Sequence, residues 1–176
     1  MKIAIGCIIG VVSLVIVYCL IYFFAFGGGT LFLPSPPKPE IKYAEFNFTL
    51  TCEIEGEVRE LSDTLVCEFD GYSIDEGRGK TRKWKKYYKS EPKDDRILLH
   101  QIDDTLFITL GVGVARYFMS DPDFDYGVPE NPYISVYDSA TGYYLGGTQE
   151  EKELLEQCGF KIVSWHCDPP IKNTFK

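Results

Sequence analysis

The sequence predicts an α+β fold: an N-terminal transmembrane helix, then a mostly antiparallel β domain (sandwich or curled sheet) with one helix. Three observations predict it. An uninterrupted apolar run extends from Ile3 to Phe26 without a charge. Beyond residue 40, apolar and polar residues alternate in short segments bounded by Gly, Pro and Asp, which is the period of strands. Helix start and stop signals occur together only around 148–159.

The apolar run forms the first element. A helix over it is roughly 36 Å long, enough to cross a hydrocarbon core of about 30 Å with some tilt. A cleaved signal peptide is the rival reading. Its apolar region spans about 7–15 residues and ends at a small-x-small site. Here the run ends Phe24-Ala25-Phe26-Gly27, a poor cleavage site, so residues 1–26 are expected to remain as an anchor. Tyr18, Tyr22, Phe23, Phe24 and Phe26 crowd its end like an aromatic belt. Lys2 precedes the run, and the next charge is Lys38. The expected placement is therefore the cell membrane, with the N-terminus cytoplasmic and the rest outside. Gly6 and Gly10, four apart, offer a face for a homodimer of anchors, although Gly is common in such helices anyway.

Residues 27–39 read as a Gly/Pro linker. Gly27-Gly28-Gly29 is flexible, and Pro34 to Pro39 is stiff and extended over about 19 Å. Residues 40–176 suit one extracytoplasmic domain with its own core.

The strands follow in order. Phe46, Phe48, Leu50, Cys52 and Ile54 alternate with polar residues, and Glu55-Gly56-Glu57 makes a turn. Leu65, Cys67 and Phe69 alternate again until Asp70-Gly71. A strand at 82–88 comes next. Segments 97–102 and 105–112 form a hairpin about Asp103-Asp104, with Ile97 opposite Leu110, Leu99 opposite Ile108 and His100 opposite Phe107. Further strands are expected at 114–119, 132–138, 143–146 and 160–167. Thr148 and Glu151 make a capping box, Leu154 and Leu155 face inward, and Gly159 ends the helix.

The formal charge of −8 is uneven. Residues 78–89 carry seven cations and no acid. Arg82, Lys83, Trp84, Lys85, Lys86 and Tyr87 interleave charge with aromatic rings. Outside a cell, such a run suits lipid headgroups or anionic envelope polymers rather than nucleic acid. The bland reading, and the favoured one, is an edge strand guarded by lysine against pairing with another chain.

Asp121, Asp123 and Asp125 alternate as in a calcium loop. The pattern lacks the sixth-place Gly and twelfth-place Glu of an EF-hand, and an acidic turn explains it equally. Nucleophile-elbow, zinc-protease and phosphate-loop motifs are all missing, so no residue is assigned as catalytic. Scattered carboxylates leave an envelope hydrolase as the alternative to a binding or assembly domain.

Cys52, Cys67, Cys158 and Cys167 are an even set in a compartment that permits disulfides. Cys158 and Cys167 flank one strand and stand about 30 Å apart, far beyond the roughly 4.4–6.8 Å that a bridge needs. Cys52 and Cys67 are about seven residues out of register in their hairpin. Crossed pairing remains, in either of two forms. Cys67 with Cys167 is the simpler first bridge, leaving Cys52 for Cys158. Asn47-Phe48-Thr49 is a glycosylation sequon inside a predicted strand.

The segments Asp63-Thr64-Leu65-Val66-Cys67-Glu68-Phe69-Asp70-Gly71, Arg82-Lys83-Trp84-Lys85 and Ser164-Trp165-His166-Cys167-Asp168-Pro169-Pro170-Ile171 resemble uncharacterised small single-pass membrane proteins of clostridial-type Gram-positive bacteria. The resemblance spans most of the outer domain. It implies an acidic residue in the place of His166 and carries no function or site residue with it.

Overall fold

A computed structural model describes residues 2–25, 34–75, 79–93, 96–123 and 132–176. The fold is mostly antiparallel β in two sheets, with few helices. The chain divides into two compact units.

The first unit comprises residues 1–37 and 71–83. Helix α1 runs Lys2–Ala25 and holds Gly6 and Gly10 in its backbone. Side chains are described for residues 12–23 of it, and these are exposed on every side, Leu14 and Ile21 included. Among the described residues no helix is long and apolar enough to cross a membrane. Within this unit the side chain of Arg82, 1% exposed, donates to the carbonyl of Pro37 at 3.1 Å. Ser73 and Thr81 hydroxyls pair at 2.9 Å.

The second unit, 38–70 and 84–176, holds the core. Strand β1 (Tyr43–Ile54) turns at Glu55-Gly56 into β2 (Glu57–Asp75). Both turn residues have positive φ, 54° and 80°, the pairing that a two-residue hairpin turn requires and that Gly adopts without strain. β3 is Gly79–Tyr88, β4 Ile97–Gln101, β5 Leu106–Gly111, β6 Tyr133–Asp138, β7 Tyr143–Tyr144 and β8 Lys161–Cys167. One sheet has the order β3-β2-β1-β8 and the other β4-β5-β6-β7.

The inward row of β1, Phe46, Phe48, Leu50, Cys52 and Ile54, meets Ile97, Ile108 and Leu110 from the second sheet in one core. Each fully buried large side chain of that row contributes about 1.5–3 kcal/mol. Tyr88, at the end of β3, accepts at its hydroxyl from the backbone N–H of Val112 at 2.8 Å. Its polar end is thereby satisfied inside the core. The C-terminal segment closes the unit: Lys38 and Lys176 exchange backbone hydrogen bonds of 2.8 and 2.9 Å, and Glu40 N–H donates to Thr174.

Several expectations are corrected. Residues 114–119 form no strand. Ala115–Phe118 is a short helix, α2, with Ala115, Phe118 and Met119 buried at helical spacing. β2 does not stop at Asp70-Gly71. Gly71 takes a φ of 86° within the strand. The β4–β5 hairpin starts as expected, with Ile97 opposite Leu110, but an extra residue at Leu99 shifts the register and puts His100 opposite Ile108. β7 is shortened to two residues.

Helix α3 (Gln149–Gln157) begins as predicted, with the Thr148 side chain accepting from Glu151 N–H at 3.1 Å. Glu151 does not complete the box. Its carboxylate accepts from Val136 N–H at 2.9 Å and Gly147 N–H at 2.7 Å. Gly159 ends the helix with a φ of 60°.

Candidate functional site

The outer surfaces of the two sheets differ in chemistry. On the first sheet, Asn47 bonds Thr64, Thr49 bonds Ser62 and Thr51 bonds Ser164. These groups satisfy one another across neighbouring strands.

The second sheet presents aromatic rings. Alternation along β6 sends Ile134 and Val136 inward and Tyr133, Ser135 and Tyr137 outward. Their register partners on β5 are Gly111, Thr109 and Phe107, and Tyr144 of β7 lies opposite Tyr137. The Tyr137 and Tyr144 rings stand 5.0 Å apart. Leu98 of β4, 52% exposed, extends this face beyond Thr109. A Cβ at Gly111 would meet Tyr133 only at ordinary van der Waals distance, whereas one at Gly146 would collide with the Tyr133 hydroxyl.

Arg96 enters this surface from just before β4. Its guanidinium carbon stands 3.7 Å from the Tyr144 ring centre and 4.8 Å from that of Tyr133. One terminal nitrogen donates to the Ser135 hydroxyl at 2.5 Å. Ser135 faces outward yet is 0% exposed. Tyr133 and Tyr144 remain 49% and 41% exposed. The outward positions of β4 to β7 set by this register carry no lysine and no acid. No signal in the sequence marks this site, because its members come from three strands and a loop.

The basic segment is split by strand alternation. In the first unit, Arg82 is buried and Lys83 exposed. In the second unit, Trp84 turns toward the core, donates its indole N–H to Asp121 at 2.8 Å and meets the Phe69 ring edge-on at 5.5 Å. Lys86 lies on the same side, donating to the carbonyl of Gly113 at 3.2 Å and standing 5.9 Å from the Tyr88 ring. Lys85 faces out and pairs with Asp70 at 3.1 Å, and Tyr87 is half-buried beside it. The structure therefore does not gather Arg82, Lys83, Trp84, Lys85, Lys86 and Tyr87 on one face.

Of the three residues expected to hold calcium, two lie among the described residues. Asp121 is buried, with one oxygen on the Trp84 indole and the other on the N–H of Asp123. Asp123 is exposed, and Asp125 lies outside the described residues. Among the described residues no group of three His, Cys, Asp or Glu side chains is placed to hold a metal.

Cys52, Cys67, Cys158 and Cys167 are all free thiols. Strand β1 lies between β2 and β8, so Cys67 and Cys167 are not on neighbouring strands. Two strand spacings put their Cα atoms at least about 9.5 Å apart, beyond the roughly 6.8 Å limit for a bridge. In β8 the register shift leaves Val163 as an extra, unpaired residue, 58% exposed. Burial pushes the Cys67 thiol up to about 12 and that of Cys167 to about 11, and raises Cys52 and Cys158 too. None is a ready nucleophile at neutral pH. His100 and His166 lie on different sheets. The Asn47 side-chain amide of the sequon donates to Asp168 at 3.0 Å.

No known protein family, curated protein or solved structure matches this chain.

Proposed function

We propose that this chain is a single-pass membrane protein whose extracytoplasmic β domain is a binding or assembly module at the cell envelope. The tyrosine face of the second sheet, with Arg96 laid across it, carries this reading. Large exposed aromatics without intervening lysine or acid are unusual on a surface that only meets water. Tyr and Arg are enriched, and Lys and Glu depleted, at the cores of protein interfaces. The anchor is supported by the apolar run from Ile3 to Phe26 and by the apolar side chains exposed all round α1 from Val12 to Phe23. The Pro-rich segment before residue 40 would hold the module off the bilayer.

A photo-crosslinking amino acid at Leu98 tests the face in intact cells. Val58, also well exposed but on the first sheet, is the control position. The expected result is a crosslinked species of defined mass from position 98 alone, in a fraction that resists alkaline carbonate extraction. Identical patterns from both positions, or release by carbonate, would refute the proposal.

A further inference from the structure

Arg96 is held by aromatic rings and a hydroxyl, whereas five other cations of the second unit are held by acids. Arg59, Lys85, Lys89, Lys161 and Lys176 each hold a carboxylate. Among the described residues Arg96 holds none. Its described contacts are two tyrosine rings and the Ser135 hydroxyl. The two rings and the bond to Ser135 together restrict where the guanidinium can lie. A guanidinium carries five N–H donors, and one terminal nitrogen is engaged here. Among the described residues nothing else bonds the remaining edge, which has the donors for two parallel hydrogen bonds.

We infer that this edge receives a carboxylate on a peptide segment of a protein partner. This inference rests on the reading of the domain as a binding module and names the group which that module takes. The geometry favours a carboxylate, because the planar fork matches two oxygens at once. The rings shield the pair from water and strengthen the attraction. A guanidinium held in advance loses little freedom when the partner arrives.

A peptide is favoured over an acidic polysaccharide by charge and by surroundings. The chain carries a net −8, which repels a polyanion as a whole while leaving a single carboxylate free to approach one cation. Leu98 and Phe107 flank the rings and offer apolar contact to side chains next to the acid.

The test uses the full chain in detergent micelles with isotope-labelled tyrosine, so that the ring signals of Tyr133 and Tyr144 report contact. The probes are acetyl-Leu-Glu-Leu-amide, its Gln counterpart and glucuronate. The Glu peptide is expected to shift both rings with a Kd on the order of 1–10 mM, as suits one ion pair with modest apolar contact. The Gln peptide and glucuronate should each bind at least about tenfold more weakly. R96Q should abolish the Glu-peptide shift. R96K keeps the charge over the rings but lacks the fork, and should lose most of the affinity. Unchanged signals from labelled tyrosines away from the substitution in unliganded R96K, buried Tyr88 among them, establish that the domain remains folded.

Equal binding of the Glu and Gln peptides would overturn the inference and leave Arg96 as a structural clamp. Tighter binding of glucuronate would replace the peptide with a sugar acid. Silence from every probe at about 20 mM would also overturn it. In each of these cases a crosslink at Leu98 would still stand, so failure here is distinct from failure of the binding reading.

Discussion

Glu151 gives the sharpest check on how the domain is held together. The residue is 6% exposed in the first turn of α3. One oxygen accepts from Val136 N–H at 2.9 Å and the other from Gly147 N–H at 2.7 Å. β7 pairs with Tyr137 and Asp138 but stops at Tyr144, so the carboxylate takes up the edge of β6 where the ladder ends. Replacing Glu151 with alanine removes both acceptors. An orphaned buried N–H costs about 1–3 kcal/mol, and the loss of a negative charge from a helix start costs a further ~0.3–1 kcal/mol. Water can reach Gly147 more readily than Val136, so one site bears most of the penalty. The expected loss is about 1.5–4 kcal/mol. E151Q keeps one acceptor oxygen and turns an amide NH2 toward the other N–H, so its loss should be intermediate, about 1–3 kcal/mol. Urea unfolding of the full chain in micelles, followed by tryptophan fluorescence, measures both. The midpoints should fall in the order wild type, Gln, Ala with the slope unchanged. E151A within about 0.5 kcal/mol of wild type would refute the argument that this carboxylate replaces a missing strand.

Two further outcomes follow from the split basic segment and the buried thiols. Arg82→Ala should cost roughly 3 kcal/mol or more by urea unfolding, because the side chain is buried and donates to Pro37, whereas Lys85→Ala, an exposed pair with Asp70, should cost under about 1 kcal/mol. Equal costs would mean that burial does not separate them. Cys67 is driven by burial from 9.0 to about 12, so the folded chain keeps a proton that the unfolded chain releases. Its contribution is fully present below pH 9.0 and is lost as pH rises toward about 12, on the order of 2–4 kcal/mol across that window. Unfolding from pH 8 to 11 should show Cys67→Ala falling less steeply than wild type, and parallel curves would defeat the assignment.

The sequence was informative where one local pattern decided one local structure. Alternation of Phe46 to Ile54 fixed β1 and its buried face, because a period of two leaves one way to hide five apolar side chains. Thr148, Glu151 and Gly159 marked α3 through groups within one turn of its ends. The hairpin at Glu55-Gly56 followed from the positive φ that Gly tolerates. Where a single extra residue could be absorbed, the sequence was silent. The bulges at Leu99 and Val163 leave composition unchanged yet reverse which side chains face the core. Residues 114–119 contain buried apolar groups that suit a strand or a turn of helix, and only packing of Ala115, Phe118 and Met119 chose the helix.

The sequence by itself therefore determined the β-rich class of fold, the order of its strands apart from the segment at 114–119, and the apolar run at the N-terminus. These depend on periodicity, capping and hydropathy, which are properties of neighbours along the chain. The tertiary structure decided strand order, and with it the chemistry of the surfaces. Placing β1 between β2 and β8 kept Cys67 from Cys167. Alternation along β3 drew Trp84 and Lys86 inward, so a contiguous run of charge became two faces. The meeting of Arg96 with Tyr133, Ser135 and Tyr144 depends on which strands lie side by side. That juxtaposition is set by the shared core and by long-range pairing, for which no stretch of sequence holds the information alone.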